Sequence, residues 1–212
     1  MFKPLSTKLT RAVLVAAAAT TIIIGYDVAR AQETQDAYKY SRDAQQGKQI
    51  TPVPVNLMGK NPDLVYLGSY LVNGQGGCNS CHTCPSYRGN NPFIGGGAGL
   101  GAGKPAPVNA ANYLAGGTSF PGNGPGGNKA VAAPNLTPDS SGLPGGMTYD
   151  DFKNAMQNGM VSSKPGHVLQ VMPWPVFRNL YENDLIAIYQ YLSAIPSAQA
   201  GGTCTNPGQT AP

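Results

Sequence analysis

Four apolar stretches stand out along a chain that is otherwise polar or rich in glycine and proline. The first runs from Ala12 to Ile24, after Lys3, Lys8 and Arg11 and before Ala29-Arg30-Ala31. A basic lead, an apolar run of about a dozen residues and an A-x-A end make a secretory signal pattern, and a bilayer span needs roughly 20 residues. A cleaved signal peptide over 1–31 is therefore expected. The other three stretches repeat at helical spacing. Leu64, Leu67, Gly68 and Leu71 share one face after Asn61-Pro62-Asp63, which supplies an N-cap, a proline at the first helical position and an acid in the first turn; this helix should end near Asn73-Gly74. Thr148-Tyr149-Asp150-Asp151 reads as a capping box with Asp in place of Glu, followed by Phe152, Ala155 and Met156 on one face and stopped by Gly159. Leu185, Ile188, Tyr189 and Leu192 recur at i, i+3, i+4 and i+7 behind the acids Glu182 and Asp184, and Pro196 closes that helix.

Between these elements the pattern predicts little regular structure. Residues 32–60 are polar with no sustained period and read as an extended arm. From Gly89 to Pro134 glycine, proline, asparagine and alanine dominate, a loop composition with room for one short helix. Phe93, Ile94, Leu100, Tyr113, Leu114 and Phe120 punctuate that loop as contacts onto something apolar. No alternating strand pattern and no repeat of fixed period is present. The expected fold class is all-α, one domain over 61–197 with long Gly/Pro-rich loops, then a tail over 198–212.

Composition sharpens this picture at two points. With 28 Gly and 19 Pro in 212 residues, the core looks small for the length, so a buried apolar prosthetic group would supply the missing surface. Charge excludes one class of partner. The 14 Lys and Arg against 10 Asp and Glu include Lys3, Lys8, Arg11, Arg30 and Asp27 of the signal, leaving a nearly neutral chain with no footprint for nucleic acid. After the signal, no stretch is long and apolar enough to span a membrane, and a periplasmic location is expected.

The chemistry lies in Cys78-Asn79-Ser80-Cys81-His82. Two thiols three residues apart can add to the two vinyl groups of one haem while the next residue, a histidine, reaches the iron. Zinc binding with Cys84 as a further thiolate and a thioredoxin-like dithiol are the competing readings of the same spacing. A low-spin haem needs a second axial ligand, and Met147, Met156, Met160, His167 and Met172 follow the motif. Met156 lies on an apolar helix face and reads as core packing. The glycine-rich run before Lys104 lacks the Walker spacing and is set aside.

Beyond the pentapeptide, Gly68-Ser69-Tyr70-Leu71-Val72, Tyr113-Leu114-Ala115-Gly116-Gly117, Asn135-Leu136-Thr137-Pro138-Asp139 and Met172-Pro173-Trp174 ahead of Asp184-Leu185 carry a wider resemblance over residues 62–196. The chain resembles a class I c-type cytochrome with one haem. It is similar to the haem domains in cytochrome subunits of periplasmic alcohol and gluconate dehydrogenases. The resemblance implies one covalent haem c at Cys78 and Cys81, with His82 and Met172 as axial ligands and Met172 presented by a proline-stiffened segment. It also implies first and last helices in contact at Gly68. Electron transfer would then link a redox-protein donor and acceptor, such as a dehydrogenase catalytic subunit or a terminal oxidase. His/Met ligation would set a positive potential. The alternative is a haem oxidoreductase acting on thiosulfate or peroxide. Two departures from the family are Cys84, where such domains run from Thr into Pro, and Tyr181, where Ser or Thr would cap the last helix. A backbone carbonyl, that of Pro92, is the expected partner of the His82 ring. Cys84 and Cys204 remain after haem attachment and are expected to form a disulfide.

Overall fold

The structure, a computed structural model, describes residues 40–87, 107–121, 130–199 and 203–205. The expected signal peptide and Pro92, Phe93, Ile94 and Leu100 lie outside the described residues. The chain divides into two compact units, residues 1–42 and 43–212. Of the first, residues 40–42 are described and are helical. The second contains the hydrophobic core and the attachment motif.

Residues 43–50 (α1) are helical, where the sequence pattern predicts an extended arm. The reason is the size of the contacting side chains. Ala44 is buried, and a Cβ on Gly47 would collide with Tyr66 O and stand 2.8 Å from Tyr70 N, so the helix packs through its smallest residues and leaves no apolar period. Ser69 Oγ donates to Gly47 O at 2.8 Å and ties α1 to the next helix. Residues 51–60 then run beside the end of the last helix, with Asn56 N–H donating to Ala194 O at 2.8 Å.

The helix Pro62–Tyr70 (α2) starts as expected, with the Asn61 side chain accepting from Asp63 N–H at 2.9 Å. It extends through a π-helical turn, Leu71–Gln75, closed by Gly76 N–H donating to Leu71 O at 2.6 Å. A short helix Asn79–His82 (α3) follows. Tyr149–Asn158 (α4) is capped by Thr148 Oγ1 accepting from Asp151 N–H at 3.2 Å and ends at Gly159 in the left-handed region, φ 68°. The Asp151 carboxylate accepts from the Thr148 hydroxyl at 2.7 Å. A four-residue turn Trp174–Phe177 (α5) precedes Glu182–Leu192 (α6), whose N-cap, Tyr181, makes no side-chain capping bond.

The core lies between α2 and α6. Val65, Leu67, Leu71 and Val72 meet Leu185, Ala187, Ile188, Tyr191 and Leu192, and Phe152 and Met156 of α4 join the same cluster. Burying each of the larger side chains stabilises the fold by about 1.5–3 kcal/mol. Close approach is possible because residue 68 is glycine: a Cβ there would meet Ala187 O, and Tyr191 Cβ at 2.7 Å. Short strands are also present among the described residues. Thr118–Phe120 (β1) pairs antiparallel with Val131–Ala132 (β2) and parallel with Cys204–Thr205 (β3), in the order β2-β1-β3. Strands of two or three residues are too short to write an alternation into the sequence.

Candidate functional site

The attachment motif sits immediately after the π-helical turn. Gly77 (φ 57°) turns the chain, Cys78 N–H donates to Val72 O at 3.1 Å, and His82 N–H donates to Cys78 O at 2.9 Å, winding the five residues into one helical turn. Cys78 and Cys81 therefore lie one turn apart, both partly exposed and neither in a disulfide. Burial pushes the Cys78 thiol up to about 11, with Cys81 adding a smaller repulsion, and burial raises Cys81 as well. Both are thiols at neutral pH.

His82 is buried, and its Nδ1 lies 2.9 Å from Pro134 O. A carbonyl only accepts, so the proton sits on Nδ1 and Nε2 keeps the free lone pair. Burial holds the ring's pKa below 6.5, outweighing the opposing bond to Pro134, so the imidazole is neutral and competent as a metal ligand. The acceptor is thus Pro134 and not Pro92, because residues 133–136 return beside the motif through Gly117 N–H to Ala133 O at 2.9 Å and Leu136 N–H to Leu114 O at 2.8 Å.

Thr83, fully buried, anchors the exit of the motif. Its Oγ1 accepts from Leu114 N–H at 2.9 Å, and its carbonyl accepts from Ser86 Oγ at 2.8 Å and Thr118 Oγ1 at 3.3 Å. Cys84, next along and also buried, is bonded to Cys204 with Cα atoms 5.8 Å apart. The disulfide takes Cys84 away from any zinc set, and among the described residues no group of three or more His, Cys, Asp or Glu could hold a metal ion.

The candidates for a second ligand separate by environment. Met156 is buried in the core, as expected, Met160 is exposed and His167 is exposed in a turn. Met147 and Met172 are partly buried against the central cluster, which Cys78 also touches. Met172 occupies the segment between α4 and α5, and Trp174, two residues on, covers Gly159 and donates from Nε1 to Leu169 O at 3.1 Å. Trp174 thus packs the segment that presents Met172. Of the loop residues expected to make apolar contacts, Tyr113, Leu114 and Phe120 are buried.

A polar network with no signature in the sequence crosses the core nearby. Tyr113 OH donates to Asn73 Oδ1 at 2.6 Å, Asn73 Nδ2 donates to Tyr191 OH at 3.2 Å, and Tyr191 OH lies 2.9 Å from Thr51 Oγ1. Every hydroxyl in it has a partner, the condition for burying polar groups without loss.

A haem held through this turn fits what is present: two unbridged thiols one turn apart, and a buried, neutral imidazole whose tautomer is fixed by a carbonyl. Among known proteins, the chain is similar to the gluconate 2-dehydrogenase cytochrome c subunit of Pantoea cypripedii, with 31% identity over 143 residues, 66% of this chain and 25% of that relative. The chain thus spans about a quarter of the length of the curated relative it matches. No family model matches. The similarity supports a relationship to cytochrome c proteins, and through it to haem c, at the level of the family.

Proposed function

Taking the family-level relationship to cytochrome c proteins as the premise, we propose that this chain is an electron-transfer protein carrying one covalently attached haem c. Cys78 and Cys81 would supply the two sulfurs that fasten the porphyrin, and His82 and Met172 would ligate its iron. The observation that carries the reading is the His82 Nδ1 bond to Pro134 O at 2.9 Å, which leaves Nε2 free beside two unbridged cysteines.

When bound, the haem supplies an iron that changes oxidation state by one electron with its ligands in place. The chain's residues do the rest. Pro134 fixes the ring orientation and raises the basicity of His82. The cluster around Leu71, Val72, Tyr113 and Leu114 supplies an apolar wall that excludes water, and Pro173 and Trp174 stiffen the approach of Met172. In this reading the haem domain has a cytochrome c-like helical framework over 61–197 and operates in the periplasm after removal of a signal over 1–31. Its partner is a dehydrogenase catalytic subunit or another redox protein, a reading supported by the relative's name as the cytochrome c subunit of a gluconate 2-dehydrogenase. Among the described residues no helix is long and apolar enough to cross a membrane.

The test is the absorption spectrum of the purified holoprotein beside Met172→Ala. A charge-transfer band from iron–sulfur ligation should be present in the oxidised wild type and absent from the variant, and carbon monoxide should bind the reduced variant but not the reduced wild type. Rapid binding to the native protein would instead favour an oxidoreductase with an open site, and persistence of the band in Met172→Ala would reassign the ligand.

A further inference from the structure

The bond between His82 and Pro134 joins two segments 52 residues apart, and Gly116 packs against both. Gly116 N–H donates to His82 O at 2.7 Å, so this glycine is fixed to the backbone of the histidine itself. On its other side, an added Cβ would stand 2.6 Å from Ala133 O and Pro134 C and 2.7 Å from Asn135 N. All three are backbone atoms, with no side-chain rotation available to relieve the clash. The segment that would have to retreat carries the very carbonyl that accepts from His82. Gly116 also adopts φ 77°, where a side chain is strained in any surroundings.

The next residue is braced from outside. Gly117 O accepts from Cys204 N–H at 3.3 Å, and Cys204 is bonded to Cys84, two residues beyond His82. We propose that Gly116 is a positioning residue for the axial histidine: its missing side chain lets the Pro134 carbonyl reach His82 Nδ1, and the Cys84–Cys204 strap holds that spacer in place. The inference rests on the reading of His82 as the haem ligand. Pushing Pro134 away weakens the donation that the hydrogen bond lends to the ring and favours the ferrous state.

The experiment compares the wild-type holoprotein with Gly116→Ala, Gly142→Ala and the double variant Cys84→Ser/Cys204→Ser. Gly142 has φ 78° and nothing within 4 Å of an added Cβ, so its alanine variant carries the same backbone strain without the contact. The readouts are the His82 Nδ1–H resonance of the reduced protein, with its solvent exchange, and the midpoint potential. In Gly116→Ala the resonance should move upfield and exchange about tenfold faster, and the ferrous-to-ferric ratio at the wild-type midpoint should rise roughly threefold. The strap variant should move both readouts in the same direction, and it decides the matter if Gly116→Ala does not accumulate. Gly142→Ala should match the wild type. Wild-type readouts in Gly116→Ala, or in the strap variant if that protein alone accumulates, would overturn the proposal. So would equal changes in Gly142→Ala, which would assign the effect to backbone strain. A wild-type protein without bound haem would overturn the underlying reading instead, and shows before any variant is compared.

Discussion

At the scale of single residues, two charged side chains show how the helix starts are secured. Asp151 accepts from Thr148 and from Ser162, and these bonds hold its carboxyl below its ordinary 3.8. Glu182 accepts from Lys153 Nζ at 2.6 Å and Tyr149 OH at 2.8 Å and is likewise held below 4.5. A carboxyl depressed in the folded state contributes stability that is present above its unfolded pKa and is lost as pH falls through its folded one. Both groups lie at the surface, where water and salt screen the effect. The expected outcome is that Asp151→Asn/Glu182→Gln melts below the wild type at pH 7, and that the gap closes below about pH 4. Thermal melts at several pH values read this directly, and a gap of constant size would show that ionisation of the two carboxyls contributes nothing.

At the scale of elements, the contact between α2 and α6 depends on the absence of a side chain at residue 68. Gly68→Ala gains about 1 kcal/mol in helix propensity, while forcing backbone apart at Ala187 costs roughly 3 kcal/mol. The clash should win. A lower denaturation midpoint is expected, and an unchanged or higher one would contradict the packing described. The helices are legible in the sequence because Leu64, Leu67, Leu71, Leu185, Ile188 and Leu192 write a helical period in α2 and α6, and Asn61 at α2 and Thr148 and Gly159 at α4 mark boundaries by local chemistry. Cys78, Cys81 and His82 are legible for a similar reason, being close in sequence. What escapes is made by small residues or by distance along the chain. Helix α1 packs through Ala44 and Gly47, the strands are too short for alternation, and the pairing of His82 with Pro134 spans a loop whose return path no local pattern encodes.

At the scale of the whole molecule, a chain rich in glycine and proline has few apolar side chains to order its loops, and cross-links take over part of that task. The Cys84–Cys204 bond closes a separation of 120 residues, which constrains the unfolded chain by about 5 kcal/mol on a loop-entropy model. Reduction of this bond should lower the urea midpoint well beyond the effect of a single surface substitution, and an unchanged midpoint would show that β3 holds without it. The proposed second cross-link is the haem itself, fastened at Cys78 and Cys81. Its most direct test is the intact mass of the denatured protein after maturation in a host able to attach haem c. The predicted result is the mass of the processed chain plus one haem, unchanged by denaturation and lost in Cys78→Ser/Cys81→Ser; a wild-type protein at the bare polypeptide mass would contradict it.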